Sequence, residues 1–368
     1  MSQAVDRSHM ARALELARLG IYSTPPNPAV GCVLVRDGRV VGEGYHRRTG
    51  GPHAEVHALE VAGEAARGAT AYVSLEPCSH FGRTPPCTRA LLAAGVTRVV
   101  CALRDHDPRV AGSGLEELAR AGVAVESGLL ESEAAELNRG FLRRMSIGRP
   151  WVTVKIGASL DGRTALADGT SRWITGEAAR ADVQRLRARA SAIVTGIGTA
   201  LADDPALTVR DQRLELLGRR PLRVVLDSRR RIPAQARVLD DAAPSIVFAA
   251  EGLTTTGAPS AGKARLETLP ARDGRVDLAA VLDRLGALEC NEVLVEAGPG
   301  LVGAFLAAGL VDELVLYIAP CVLGDTARPM LRLPAVEHMT DRYDFRMHDV
   351  TRIGHDLKIV LRPRGADR

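Results

Sequence analysis

The chain is short of aromatic residues, of lysine, of cysteine and of long apolar runs, and each shortage excludes a class of protein. Phe, Tyr and Trp make up 3% of the 368 residues, which leaves little for the aromatic-bearing basic surface that single-stranded nucleic acid requires. Charge agrees: 48 Lys+Arg stand against 44 Asp+Glu, a net +4, and residues 1–146 carry 17 basic and 16 acidic groups. Neither half is a basic arm, so no nucleic-acid partner is expected. Lys155, Lys263 and Lys358 are the only lysines, so the positive charge is almost all arginine. Six cysteines are few for this length, and Cys32, Cys101, Cys290 and Cys321 sit in or near apolar runs as core residues do. A disulfide framework is excluded and a reducing cytoplasm expected. Ala297–Val311 comes nearest to a membrane span but is broken by Gly and Pro, and the N-terminus lacks the basic-then-apolar pattern of a signal peptide. The expectation is a soluble cytoplasmic protein long enough for two domains.

What is present is concentrated between His53 and Cys87. The stretch reads His53-Ala54-Glu55 and, some twenty residues on, Pro77-Cys78-Ser79-His80-Phe81-Gly82-Arg83-Thr84-Pro85-Pro86-Cys87. One imidazole and two thiolates are the ligands of a catalytic zinc that keeps a fourth position for water. Glu55 is too close in sequence to His53 to be a comfortable fourth ligand, and is well placed to take a proton from water. H-x-E followed by P-C and a second Cys is the pattern of zinc deaminases. Taken alone, Cys78 and Cys87 read as small core residues; the order and the Pro before Cys78 favour the metal. Eight residues separate the cysteines instead of the usual two, so the loop between them must fold back. His80 is a rival ligand inside that loop; with three ligands already in hand, it is expected to face substrate or solvent.

Taken in order, Asp6–Leu19 has helical spacing and ends at Gly20. After the rigid Thr24–Pro28 loop come a strand at Ala29–Val35, an Asp37-Gly38 hairpin turn and a returning strand at Arg39–Tyr45. His53 opens a helix that runs to about Ala66. Strands at Thr70–Leu75, Arg98–Leu103 and Val123–Glu126 alternate with helices at Thr88–Ala94 and Gly114–Ala121, and a helix at about Glu131–Met145 closes the unit. Ser146–Pro150 is a linker, which sets domains at 1–146 and 150–368. The second half alternates again: strands at Trp151–Ile156, Ala192–Thr195, Leu222–Asp227, Ser245–Ala249, Glu292–Glu296 and Glu313–Ala319, with helices at Glu177–Ala190, Leu278–Leu288 and Leu301–Ala308. This is an α/β domain with a largely parallel sheet. Gly252–Gly262 is a small-residue loop without chemistry.

Two glycine turns in the second half follow strands: Thr195-Gly196-Ile197-Gly198-Thr199, and Gly298-Pro299-Gly300-Leu301-Val302-Gly303, a G-x-G-x-x-G in the setting where backbone amides cradle a phosphate. Asp312 and Glu313 follow too soon to bind a ribose, so this is not an ordinary Rossmann fingerprint. Either turn alone is equally a tight turn with no ligand; the pair favours a dinucleotide. Leu226-Asp227-Ser228-Arg229-Arg230-Arg231 supplies a hydroxyl and guanidinium groups suited to the 2′-phosphate of NADPH, with Asp227 expected to point away.

Asn27-Pro28-Ala29-Val30-Gly31, Pro52–Glu55, Pro77–Cys87, Lys155–Arg163, Ser171–Thr175, Ala202–Arg210 and Val295–Pro299 together resemble the bifunctional riboflavin-biosynthesis deaminase–reductases over nearly the whole chain. The resemblance implies a cytidine-deaminase-like α/β/α domain followed by a dihydrofolate-reductase-like α/β domain. It implies hydrolytic deamination of a diaminohydroxy-phosphoribosylaminopyrimidine, then NADPH reduction of the ribosyl side chain. His53, Cys78 and Cys87 become zinc ligands and Glu55 the proton shuttle. Gly157, Trp173, Thr199, Asp203, Ser228 and Gly298, Pro299, Gly300, Leu301, Val302 and Gly303 fall to the dinucleotide. Ser171, Arg187, Leu207, Arg210 and Glu296 fall to the reductase substrate, and Asn27 is also a substrate contact. Guanidinium groups at Arg187 and Arg210 suit a phosphate. Lys155 and Asp161 are both candidates to give the proton that accompanies hydride. A homodimer or tetramer is expected. Two rivals, a nucleic-acid-editing deaminase with an accessory module and a non-catalytic binding protein, are opposed by the neutral first half and by the complete His/Glu/Cys/Cys set.

Overall fold

The computed structural model describes residues 3–80, 85–107, 111–253 and 264–364. Phe81–Thr84 and all but the first two residues of Gly252–Gly262 lie outside them. Two compact units are formed, Met1–Gly148 with Glu215–Arg219, and Arg149–Leu214 with Arg220–Arg368.

In the first unit the order is α1 (Gln3–Leu19), β1 (Gly31–Arg36), β2 (Arg39–Tyr45), α2 (Ala54–Ala62, continued as a 3-10 turn to Ala66) and β3 (Thr70–Val73). There follow α3 (Cys87–Ala93), β4 (Arg98–Cys101), α4 (Ser113–Arg120), β5 (Ala124–Ser127), α5 (Glu131–Leu137) and α6 (Arg139–Ile147). The strands pair as β2-β1-β3-β4-β5, antiparallel at β1 and parallel from β3 onward. Asp37 and Gly38, at φ 50° and 75°, make the predicted hairpin turn. Period-two alternation splits β1 between two cores. Val33 and Val35 pack with Met10, Leu14 and Phe141 under α1, α5 and α6; Cys32 and Leu34 pack with Ala54, Ala58, Leu91 and Leu118 under α2, α3 and α4. The result is the expected α/β/α sandwich. The single helix expected over Glu131–Met145 is broken at Asn138, whose buried amide accepts from Ala29 N at 2.8 Å and donates to Ala29 O at 2.9 Å. That side chain satisfies a distant backbone where a continuous helix would leave it unpaired.

The second unit runs β6 (Trp151–Ser159), β7 (Arg163–Ala165), α7 (Glu177–Arg189), β8 (Ala192–Gly196), α8 (Ile197–Asp203), β9 (Leu222–Leu226) and β10 (Ser245–Ala250). Next are β11 (Arg265–Leu269), the short β12 (Ala271–Arg272) and β13 (Arg275–Val276), α9 (Leu278–Ala287), β14 (Glu292–Val295) and α10 (Pro299–Ala307). β15 (Glu313–Ala319), β16 (Arg328–Pro329), β17 (Phe345–Ile353) and β18 (Asp356–Pro363) complete it. The main sheet is ordered β11-β10-β9-β8-β14-β6-β15-β18-β17, parallel from β11 to β15 and antiparallel for the last two strands. Strands buried on both faces need apolar residues in both registers, as Ser245-Ile-Val-Phe-Ala-Ala shows. α9 and α10 cover one face, α7 and α8 the other.

Candidate active sites

In the first unit His53 caps α2, Glu55 lies in its first turn, and Cys87 opens α3. α2 is seated by glycine: a Cβ at Gly44 would lie 2.4 Å from Ala54 O, and one at Gly42 would lie 2.2 Å from Ala58 O. Only bare backbone in β2 lets the helix that carries His53 and Glu55 come so close. The loop after β3 folds back as expected, since Thr88 N donates to Cys78 O at 3.2 Å and Cys87 N points at Cys78 Sγ from 3.4 Å. His53 Nδ1 then lies 3.3 Å from Cys87 Sγ and 3.6 Å from Cys78 Sγ, and the three ligand atoms lie within 4.8 Å of one another. His80 does not belong to this group of ligand atoms; it is half-buried.

The donors fit zinc in number and softness, one nitrogen and two sulfurs. Glu55 adds a second sign of fit: it is 3% exposed and its Oε2 has no hydrogen-bond partner. A buried carboxylate oxygen left unpartnered by the protein is a place prepared for something else. Burial also pushes the Glu55 carboxyl above its ordinary value. A hydrogen bond from the Cys87 thiol, helped by His53 and the Cys87 amide, draws the Cys78 thiol below its ordinary value.

Two supporting residues escape the motif. His46, 3% exposed, sets Nδ1 at 3.0 Å from Pro52 O and Nε2 at 3.1 Å from the Asn27 amide nitrogen. The carbonyl requires the proton on Nδ1, so Nε2 accepts and Asn27 is left with its Oδ1 free of this contact. Glu76, two residues before Cys78, accepts from the amides of Asp105, Gly112, Gly114 and Leu115 at 2.9–3.2 Å, pinning the start of α4 to the ligand loop. Pro-Cys after an acidic residue was the available signal for Glu76. His46 had none, since its partners are a carbonyl and an amide.

In the second unit the two glycine turns close neighbouring parallel strands, β8 and β14, at their C-terminal ends, where open α/β sheets bind ligands. They touch: Gly298 N donates to Thr199 Oγ1 at 3.1 Å, and Leu301 Cδ2 would be 3.2 Å from a Cβ at Gly196. A Cβ at Gly198 or Gly300 would meet nothing within 4 Å, so these glycines leave space that packing does not use. Gly303 differs, because a Cβ there would lie 1.7 Å from Arg332 O; it serves close packing. The first turn is the start of helix α8, which the sequence reading took for a simple turn. The β9 turn joins the same edge, Leu226 being paired with Gly196. There Asp227, fully buried, accepts from Ile232 N at 2.8 Å within its own turn, and Ser228 Oγ accepts from Val276 N at 3.1 Å. One oxygen of Asp227 is thus engaged within its own turn. Gly157 lies on β6 against Thr175; Ser171 is half-buried; Trp173 is 69% exposed with the Arg180 guanidinium 4.6 Å over its ring; Asp203 ends α8, its carbonyl accepting from Arg172.

Arg187 is already engaged within the protein: its fork is bidentate to Glu296, at 2.6 and 3.0 Å, and its remaining nitrogen donates to Thr208 O at 3.1 Å. Leu207 packs its side chain into the core at 3% exposure, which leaves only its backbone for a ligand. Asp161 accepts from Ser159 Oγ, Leu323 N and Gly324 N and is held at about 2, chiefly by Ser159; this turn clamp has no proton to give. Arg210 is exposed, with no partner for its guanidinium among the described residues.

Fold and sites define a zinc-site deaminase region and a nucleotide-site reductase region in one chain. The comparisons agree: residues 3–103 match the cytidine and deoxycytidylate deaminase zinc-binding region, and 150–359 match the RibD C-terminal domain. Riboflavin biosynthesis protein RibD of Escherichia coli is 50% identical, with 97% of this chain and 99% of that one covered. An Acinetobacter baumannii RibD structure aligns at TM-score 0.91 and 44% identity, covering 98% and 99% of the two chains. A Thermotoga maritima deaminase/reductase aligns at TM-score 0.87 and 32% identity, again covering 98% and 99%. The chain belongs to the RibD family: it is a deaminase and reductase of riboflavin biosynthesis that uses zinc and NADPH.

Proposed function

We propose that residues 1–146 deaminate 2,5-diamino-6-(5-phosphoribosylamino)pyrimidin-4-one and that residues 150–368 reduce the product with NADPH to 5-amino-6-(5-phosphoribitylamino)uracil. The structural relative from Thermotoga maritima is named for those two activities. The observation that carries the reading is the unpartnered Oε2 of Glu55 beside the His53, Cys78 and Cys87 donors.

His53, Cys78 and Cys87 would hold the zinc, whose Lewis acidity makes water a nucleophile at neutral pH. Glu55 takes the proton released as water attacks the amine-bearing ring carbon and passes it to the departing ammonia. Burial raises its carboxyl above the ordinary value, the direction that suits a group that must both accept and return a proton. Asn27, oriented by His46, presents its Oδ1 to an N–H of the pyrimidine. In the reductase, the turns after β8, β9 and β14 receive the dinucleotide, Arg210 receives the substrate phosphate, and Glu296 is the carboxylate held between Arg187 and Lys155. Lys155 Nζ, 3.4 Å from Glu296 Oε2, is the better-placed candidate for the proton donor.

The enzyme acts as a cytoplasmic homo-oligomer. In support, all six cysteines are free, no helix among the described residues is long and apolar enough to cross a membrane, and β17–β18 presents Met347, Val350 and Leu357 at 67%, 48% and 43% exposure. The test supplies the phosphoribosyl diaminopyrimidine with NADPH. Ammonia release and NADPH oxidation in equal amounts are expected; ammonia release with NADPH untouched would overturn the reductase assignment.

A further inference from the structure

The segment Asp204–Arg210 leaves α8 with no regular structure, and from Pro205 to Arg210 no backbone group pairs with another backbone group among the described residues. Its course is set by side chains from other elements. Arg223 of β9, 0% exposed, donates to Ala206 O at 3.3 Å and also binds the carbonyls of Arg237 and Ala243 and the Asp240 carboxylate. Arg187 of α7 donates to Thr208 O at 3.1 Å. Gln184, one turn earlier on the same helix face and buried, accepts from Arg210 N at 2.8 Å. Three side chains therefore grip alternate residues, 206, 208 and 210, of an irregular run, while Leu207 between them is sunk in the core at φ 48°. A buried charge such as Arg223 has little to gain from stability alone when an apolar residue could fill the same place.

We infer that this grip makes Gln184 a positioning residue of the reductase: by fixing the Arg210 amide it aims the Arg210 guanidinium at the substrate phosphate. The inference rests on the reading of Arg210 given above. Arg187 completes the arrangement by tying the same segment to Glu296 at the end of β14, so phosphate contact and carboxylate are held in one register. The function of Gln184 is thus exerted at a distance of one backbone bond, with no contact to substrate.

The experiment measures reductase kinetics in the full-length zinc-loaded enzyme, on the deaminated phosphoribosyl substrate and on its dephosphorylated form. Gln184→Leu removes the acceptor; Gln184→Glu keeps one. Gln184→Leu should raise the KM for the phosphorylated substrate about three- to tenfold, the worth of one hydrogen bond, and leave the NADPH KM unchanged. Gln184→Glu should restore most of the loss, and the dephosphorylated substrate should not distinguish the variants. In an Arg210→Ala background the Gln184→Leu effect should vanish. An unchanged NADPH KM and reductase kcat at saturating substrate in the same samples report that the second unit is folded. If Arg210→Ala raises KM but Gln184→Leu is inert, or adds independently to it, this inference is overturned and the Arg210 reading stands. If Arg210→Ala itself leaves KM unchanged, both are overturned.

Discussion

The two halves of this chain build their sites from opposite materials. In the deaminase half the chemistry lies in side chains: one imidazole, two thiols and a carboxylate, brought together by helix starts and a strand end and mostly hidden from water. In the reductase half it lies in backbone turns, with open space at Gly198 and Gly300, while the charged side chains nearby are largely engaged with one another. A metal must be gripped by donors of fixed identity, whereas a cofactor that brings its own reactivity needs a shaped bed. Damage to the first half should therefore be chemical and abrupt, and damage to the second graded and divided among binding constants.

The sharpest break is expected at Glu55. Glu55→Gln should keep zinc and fold yet lower deamination by about 10²–10⁴-fold, with reduction of supplied deaminated substrate unchanged. Cys87→Ser should instead lose the metal, read by elemental analysis, and weaken the first unit, since metal binding is linked to folding. A parallel fall of both activities in Glu55→Gln would erase the division of labour.

Next in size is the Glu296–Arg187 pair. Burial pushes the Glu296 carboxyl up, but Arg187 and then Lys155 outweigh it and hold it at about 2. Because the folded value lies below the ordinary 4.5, the carboxylate contributes stability that is full above that value and is lost as pH falls toward 2. Glu296→Gln strands a buried guanidinium and should cost about 3–5 kcal/mol at neutral pH, a penalty that shrinks on acidification through that window. Unfolding midpoints followed by circular dichroism in a denaturant series at several pH values check this; an equal penalty at every pH would count against the ion pair.

Arg210→Ala should raise the KM for the phosphorylated substrate about ten- to a hundredfold and the NADPH KM much less. The reverse split would move Arg210 to the cofactor. The smallest effect is expected at the β9 turn, where NADPH should be preferred over NADH and Ser228→Ala with Arg229→Ala should narrow the preference by about ten- to a hundredfold at most. Equal kcat/KM for the two cofactors in the unmodified enzyme would refute it.

The same contrast decides what could be read from the chain. His53, Glu55, Cys78 and Cys87 were legible because a metal fixes residue type, order and spacing together. The glycine turns were legible as turns, though α8 within one of them was not, because two glycines in five residues mask a helix that tertiary packing supports. The break at Asn138 and the role of Gln184 depend on backbone partners 109 and 26 residues away, and His46 on a carbonyl and a side-chain amide, which no local pattern records. Arg187 was only partly legible for a related reason: its motif announces a charge but not the carboxylate, 109 positions on, that it pairs with.

Asn138 also bears on the order of events at the ribosome. Ala29 stands two residues beyond Asn27, and the side chain that completes its hydrogen bonds is made 109 residues later. A nascent chain that has already emitted His53, Cys78 and Cys87 still lacks the clasp that settles the first strand against the last helices. Metal capture and closure of the domain are then separate moments in synthesis, and a chain halted before residue 138 should bind zinc loosely and be cut readily by protease near Asn27. Release a few residues past Asn138 should give a protected fragment, which pulsed proteolysis of stalled chains would register.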